Sequence, residues 1–437
     1  MLDVKFIREN IEEVKEGIRK KNSKVDLERF LVLDDERKKI QKEFEEKKAE
    51  QNIASKKIGE ADADEREKMI LEVSNLKEKV QELEKKMKPV LEEWNEILMN
   101  IPNPPSPEMP EGKSDEDNVT IYEWGEKPKF SFEPKTHDIL GKNLDIIDVE
   151  KAAEVTGSRF YYLKGDMVFL QFAMTRFAFD VLTDENIIKQ ILKEKNLEHL
   201  SSKPFIPMLP PVMIKNEVQE AIHRVFGDQT YKFGEDNLNL VASAEHTLAP
   251  YHMNEVLDEK DLPMRYIGHS TAFRREAGTY GKDMKGIFRA HQFDKTEIES
   301  FTSAETGADE QKLIVGLQEY LMQALKLPYR LQQVCTGDTG KPDYQQFDIE
   351  AWLPGQNAYR ETHTSDYMTD YQTRGIKSFY KTKDGERKLL HTNDATAFAG
   401  RPLVAILEMY QKENGDIEVP EVLQKYMGGR NLITKRD

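Results

Sequence analysis

Between Leu27 and Leu98 apolar residues recur at steps of three and four, the spacing that returns side chains to one stripe of an α-helix. In the second half of this stretch they fall at Met69, Val73, Leu76, Val80, Leu83, Met87, Val90, Trp94 and Ile97 without a break, a heptad seam. The first half is poorer. Leu33, Ile40, Phe44, Ala54 and Ile58 carry its stripe, and Arg37, Lys47 and Gln51 fill the gaps. Gly59 is the sole glycine and divides the stretch into two segments of similar length, which predicts an antiparallel two-helix coiled-coil arm. At about 1.5 Å per residue, helices of roughly thirty residues make an arm about 45 Å long. Pro89 lies inside the second seam, where its missing N–H is expected to kink the helix or leave a carbonyl unbonded. Dimerising and scaffolding coiled coils share this pattern, so the seam alone leaves the arm's use open.

After the arm, Ile101 to Pro110 (IPNPPSPEMP) has proline at five of ten positions, an extended linker and a domain boundary. It divides a helical unit, 1–105, from a second unit, 106–437. In the second unit, strand-like runs at 238–244, 271–276, 287–301, 346–353 and 357–365 alternate with helical runs at 168–184, 307–326 and 402–412. An α+β fold with an antiparallel sheet flanked by helices is predicted. The helix-like stretch Asp184 to Pro204 has no evident function, and no internal repeat is visible.

Composition narrows the classes. With 437 residues the chain exceeds one core of ordinary size. No run of about 18 apolar residues is present, and the charged start MLDVKFIREN lacks a signal peptide's apolar centre. A soluble cytoplasmic protein with no membrane partner is expected. A single cysteine, Cys335, rules out an internal disulfide and a cysteine-rich structural zinc site. The net charge of −16 argues against nonspecific coating of nucleic acid. One RNA can still be held by locally grouped lysines.

The chemistry concentrates in Thr271 to Phe301, TAFRREAGTYGKDMKGIFRAHQFDKTEIESF. Read as strands, Arg289, His291, Phe293, Lys295 and Glu297 share one face, and Arg274 and Glu276 share another. Gly278, Gly281 and Gly286 make the loop between them long and flexible. Guanidinium for phosphate, ring for a base and carboxylate for an amino group suit a nucleotide. A solvated face of cross-strand ion pairs has the same composition. Further on, Pro402 suits the first turn of a helix and puts Arg401 at its amino end. The helix dipole disfavours a cation there unless an anion lies beside it, or Arg401 pairs with a nearby acid.

FRREAG at Phe273 to Gly278 with FRAHQFDKTE at Phe288 to Glu297 resembles motif 2 of seryl-tRNA synthetases, class II enzymes. GRPLVAILE at Gly400 to Glu408 resembles motif 3, and FIPMLPPVMI at Phe205 to Ile214 resembles motif 1. CTGDTGKPDYQQFDIEAWLPGQ at Cys335 to Gln356 also resembles family sequence, and the start of the chain, TGSRFYYLKG at Thr156 to Gly165 and IEVPEVLQKYM at Ile417 to Met427 are similar to the bacterial branch. The resemblance implies activation of L-serine by ATP with Mg2+, transfer to serine tRNA and, by family habit, to selenocysteine tRNA, and a homodimer joined through motif 1. It implies an ATP site of Arg274, Arg275, Glu276, Arg289, Ala290, Phe293, Glu361, Thr362, His363, Thr364 and Arg401, with Glu361 and Thr364 also at the magnesium. Arg274 and Arg401 would carry the catalytic charge. For serine it implies Ser243, Ala244 and Glu245, where the family has Thr-x-Glu, together with Arg274 and Glu297. HTNDATAFAGR, His391 to Arg401, is one residue shorter than the family form. Counting back from Arg401 selects Asn393 and Ala395, whereas aligning the hydroxyl selects Thr396. The arm would lie along the tRNA's long variable arm, with Lys47, Lys48, Lys56 and Lys57 as candidate phosphate contacts. A ligase of the same fold that loads a carrier protein lacks such an arm, and a noncatalytic tRNA-binding paralogue is expected to lose the nucleotide-binding residues kept here.

Overall fold

The computed structural model describes residues 1–58, 62–224, 229–276 and 285–435, with residues 63 and 64 as backbone only. Gly59, Gly278 and Gly281 therefore lie outside the described residues, and with them the hairpin's turn and most of the glycine-rich loop. The chain separates into two compact units, Met1–Pro104 and Pro105–Asp437.

The first unit holds α1 (Val4–Glu9), α2 (Ile11–Lys20), α3 (Leu27–Lys57) and α4 (Ala63–Asn100). α3 and α4 form the paired arm. Leu76, Val80 and Leu83 are buried, the other apolar seam positions of α4 are half-buried, and the exposed positions between them are mostly charged. The polar seam residues of α3 have physical reasons to be there. The Arg37 guanidinium lies 4.7 Å over the Trp94 ring, which stacks on Phe30 at 5.7 Å. Lys47 turns its ammonium outward to Glu50, 2.8 Å away. α4 runs unbroken through Pro89, so the carbonyl of Lys85 lacks its intrahelical donor there.

At the base of α3, Asp34 is fully buried and meets Arg8 at 2.6 Å, Lys38 at 2.8 Å and Arg37 at 2.9 Å. Burial opposes its charge, but hydrogen bonds from Lys38, Arg37 and Arg8 outweigh it and bring the carboxyl to about 2.

The second unit is built on an eight-stranded sheet. Its strands in chain order are β1 (Val119–Trp124), β2 (Ile206–Met208), β3 (Met264–Phe273), β4 (Gln292–Thr302), β5 (Tyr329–Gln333), β6 (Gln345–Leu353), β7 (Ala358–Thr369) and β8 (His391–Phe398). Their spatial order is β1-β5-β6-β7-β8-β4-β3-β2. All pairs are antiparallel except β2 with β3. One face buries Ile267, Ile298, Ile349, Ala395 and Ala397 in a core shared with α5 (Asp166–Leu182), α6 (Glu185–Glu194), α7 (Gly307–Ala324) and α8 (Gly400–Met409). α6 takes up only the first half of the helix-like stretch Asp184 to Pro204, ending at Glu194; its Ile191 packs against Gly316 of α7, and the following Lys195 pairs with Glu319.

Three strand boundaries differ from the sequence reading. The run 287–301 becomes a strand only at Gln292, so Arg289 and His291 precede it. The run 271–276 ends at Phe273, and Glu276 adopts φ of 48°, outside the extended region. The run 238–244 ends at Leu240 and belongs to a separate three-stranded sheet.

The depressed value of Asp34 means that its stabilisation is present above the ordinary carboxylate range and is lost as pH falls through about 2. Its three partners are partly exposed, so Asp34→Asn is expected to destabilise the first unit at pH 7 by about 2 kcal/mol. Faster amide hydrogen exchange in α1 to α3 of the full chain is the readout, and unchanged protection rejects this.

Candidate active site

Strand alternation builds the site. Residues at i and i+2 share a face, and directly opposed residues of neighbouring strands lie side by side. Opposite the helix-covered face, β4 presents Phe293, Lys295, Glu297 and Glu299. In the ladder, Glu297 stands opposite Thr396 and Glu299 opposite Asp394. Asp394 in turn stands opposite Asp366, and Thr364 opposite Asp348. A bulge in β8 between Thr396 and Phe398 sets which of its side chains face which way.

An open cleft with about 670 Å3 of empty space lies on this face. Arg274, Glu276, Phe288, Arg289, Ala290, Phe293, Lys295, Glu361, Thr362, Thr364, Thr396, Gly400 and Arg401 are among its lining residues. Residues far apart in the chain thus converge. The Arg274 guanidinium lies 5.4 Å from the Phe293 ring centre, and its Nε donates to the Ala242 carbonyl at 3.1 Å. Arg401 Nη1 is 2.9 Å from Glu361 Oε1, and its guanidinium lies 5.0 Å over Phe288. Arg289 Nη1 is 3.4 Å from Glu276 Oε2. Burial and then the charge of Arg401 hold Arg274 below the usual guanidinium value. An anion placed between the two would relieve that repulsion. For Glu361, desolvation by the cleft walls opposes ionisation, but Arg401, Arg274 and Arg289 together keep the carboxyl below its ordinary value.

Gly286 supports the cleft from behind. It has φ of 64°, and a Cβ there would lie 2.2 Å from His137 Nε2, so only glycine fits. The His137 ring lies between the Ile287 amide, which donates to Nε2 at 3.3 Å, and Glu408 of α8, 3.1 Å from Nδ1.

Ser243, Glu245 and Glu297 lie behind Lys295, whose Nζ donates to Ser243 Oγ at 3.2 Å and is 2.8 Å from Glu297 Oε2. Glu297 is wholly buried, and burial raises its pKa despite Lys295. Its Oε1 has no hydrogen-bond partner, an acceptor that a small polar ligand could satisfy.

Several residues named from the sequence fall elsewhere. Arg275 is exposed and not among the lining residues. His291 packs against Phe160 and directs Nδ1 to the Arg274 carbonyl at 2.9 Å. His363 is buried in the opposite face against the Ala397 carbonyl, and burial lowers its pKa to about 4. Ala244 is packed with Leu248, Tyr266 and Phe301. In the shortened segment, Asn393 donates to the Gly307 carbonyl of α7 and Ala395 lies in the core. Both point away from the cleft because β8 alternates, which leaves Thr396 as the cleft-facing candidate.

The sequence reading did not name Glu299, Asp348, Asp366, Asp394 or Arg224 as site residues. Continuing the period-two run past Glu297 selects Glu299, and the same step from Thr364 selects Asp366. Arg224 carries no such signal, standing after His223 in the otherwise apolar run AIHRVF.

Glu361 and Thr364 supply hard oxygen donors, and burial followed by the charge of Glu361 holds Asp348 well above the usual carboxylate range. No group of three or more His, Cys, Asp or Glu among the described residues is arranged as a metal cage. This donor set suits magnesium, which is commonly held by one or two carboxylates and by substrate phosphates.

The antiparallel sheet, the three cleft arginines and the α8 amino end define a class II aminoacyl-tRNA synthetase core. Residues 1–105 match the seryl-tRNA synthetase N-terminal domain, and residues 230–410 match the tRNA synthetase class II core domain (G, H, P, S and T). Serine–tRNA ligases of Dictyoglomus turgidum and Rubrobacter xylanophilus are 40% and 36% identical, covering 100% and 98% of each chain. The crystal structure of seryl-tRNA synthetase from Pyrococcus horikoshii complexed with ATP superposes with a TM-score of 0.82 at 35% identity, covering 100% of both chains. The chain belongs to the seryl-tRNA synthetase family.

The geometry predicts that Phe293→Ala weakens binding of an adenine nucleotide about tenfold, from the loss of about 1–3 kcal/mol of stacking. Arg275→Ala is expected to leave it within twofold. Equilibrium dialysis with labelled ATP measures both, and equal losses in the two variants would contradict the placement of Arg275.

Proposed function

We infer that this chain activates L-serine with ATP and transfers the seryl group to the 3′-terminal adenosine of serine tRNA. The observation that carries this reading is the convergence of Arg274, Phe293, Glu361 and Arg401 on one cleft that Thr396 also lines, with the buried Glu297 opposite Thr396 in the ladder. The family match over the full chain supports it. Exchange of pyrophosphate into ATP, tested against each amino acid and followed by charging of serine tRNA, is the direct test. Exchange dependent on another amino acid, or none, would overturn it.

In the first step a serine carboxylate oxygen bonds to the α-phosphorus as the bond to pyrophosphate breaks. The protein positions and neutralises. Phe293 stacks on adenine, Glu276 accepts from its amino group, Arg289 reaches the terminal phosphates, and Arg274 spans the α-phosphate and the serine carboxylate. Arg401 stabilises charge on the phosphoryl oxygens. Magnesium, when bound by Glu361 and Thr364, supplies further neutralisation of phosphate charge. In the second step the terminal adenosine hydroxyl attacks the adenylate carbonyl and AMP leaves. Neither step requires a covalent protein nucleophile.

Serine is selected over alanine and glycine because Glu297 and Thr396 are left unpaired without the substrate hydroxyl. The exposed Lys48, Lys56 and Lys57 of α3 are the phosphate contacts for tRNA, whereas Lys47 is engaged by Glu50. Motif 1 is a dimer contact: Ile206, Leu209 and Met213 are 48%, 82% and 45% exposed, an apolar strip suited to a second copy. The arm disfavours a carrier-protein ligase, and the retained cleft residues disfavour a noncatalytic paralogue.

Glu297→Ala is expected to raise the serine KM in pyrophosphate exchange by on the order of tenfold or more with little change for ATP. Unchanged serine dependence removes the assignment. Arg401→Ala is expected to reduce adenylate formation by on the order of a hundredfold or more, and normal exchange would refute its role.

A further inference from the structure

Behind the serine end of the cleft, Arg224 is buried among four carboxylates from separate elements. It bonds Glu245 through Nε, and its Nη2 lies 3.0 Å from Asp394 of β8 and 3.2 Å from Asp366 of β7. Nη1 lies 3.4 Å from Asp343, in the turn before β6. Glu299, buried with both oxygens lacking hydrogen-bond partners, stands opposite Asp394 in the ladder. The network joins the short helix Glu245–Leu248 to the strands that carry Thr396 and Thr364. Gln372 Nε2 donates to the same Glu245 oxygen at 2.9 Å.

We propose that Arg224 is a positioning residue for the amino-acid end of the cleft, fastening Glu245 to β7 and β8 so that Glu245 presents an ionised carboxylate to the substrate ammonium. The proposal rests on the serine-activation reading above. A planar guanidinium spreads five donors over a rigid fork that reaches all four carboxylates, whereas a lysine ammonium has three donors on a single nitrogen. Asp394 is two residues from Thr396, so the same anchor fixes the strand that faces Glu297.

The charges divide accordingly. Burial pushes Glu245, Asp394 and Glu299 up, but Arg224 outweighs burial at Glu245, whose pKa is lowered, while Asp394 and Glu299 are raised well above the carboxylate range. The other groups facing Glu245 are Lys295, Glu297 and Glu299 of β4, and its neighbour His246, whose pKa burial lowers to about 3. Without Arg224, Glu245 joins the neutral carboxyls and ionises only at higher pH.

The test measures serine and ATP KM in pyrophosphate exchange from pH 6.5 to 8.5. Wild type is expected to keep a flat serine KM. Arg224→Lys is expected to raise it at least tenfold at pH 6.5, with the deficit shrinking as pH rises and ATP KM within twofold. A role in folding alone lowers the active fraction without this split or this pH trend. A serine KM within twofold of wild type, or equal rises for serine and ATP, overturns the proposal. If Arg224→Lys does not fold, the wild-type profile decides: a serine KM that climbs steadily as pH falls toward 6.5 overturns the proposal, and a flat one supports it. Absence of any serine-dependent exchange in the wild type refutes the serine reading itself, a result distinct from failure of the Arg224 proposal.

Discussion

Everything at the cleft depends on the register of β4 against β8. That ladder places Glu297 beside Thr396 and Glu299 beside Asp394, while Ile298 and Ala395 face the helices. A slip of one residue would bury the acids in the apolar core and expose its isoleucines and alanines. The register is therefore held from both sides. Ile298, Ala395 and Ala397 pack with α7 and α8, and Gln318 of α7 donates to the carbonyls of Thr364 and Thr396 at 3.0 and 2.8 Å. The apolar face fixes the polar one.

With register fixed, electrostatics divides the cleft into two ends. The outer end gathers Arg274, Arg289 and Arg401 around Glu276 and Glu361, an arrangement able to receive several phosphate charges. The inner end is rich in carboxyls, with Lys295 and Arg224 as its cations among the described residues. A zwitterionic amino acid suits this polarity. In the proposed reaction its carboxylate lies toward Arg274 and its ammonium toward Glu245, which would bring the carboxylate to the end that receives the phosphates.

The arm was legible in outline, because a helical seam is a local property: every position the spacing selected is buried or half-buried, even Arg37 and Lys47, whereas Phe30 and the charged Asp34, both buried near the base of α3, are not among those positions. The cleft was legible where period two holds, at Phe293 and Glu297, and through family motifs at Arg274 and Arg401. It was not legible where the backbone leaves the strand. Arg289 and Glu276 reach the cleft from outside β3 and β4, and the alternation of β8, whose phase the one-residue-short segment left open, turns Thr396 to the cleft and Asn393 and Ala395 away. Arg224 was hidden for another reason. Its partners come from four separate stretches of chain, and only folding brings them together.

A crystal structure of the protein with a non-hydrolysable seryl-adenylate analogue should place the serine hydroxyl within hydrogen-bond distance of Glu297 and Thr396, with the adenine against Phe293. A hydroxyl directed to Asn393 or Ala395, or an analogue seated away from Arg274 and Arg401, would contradict that placement.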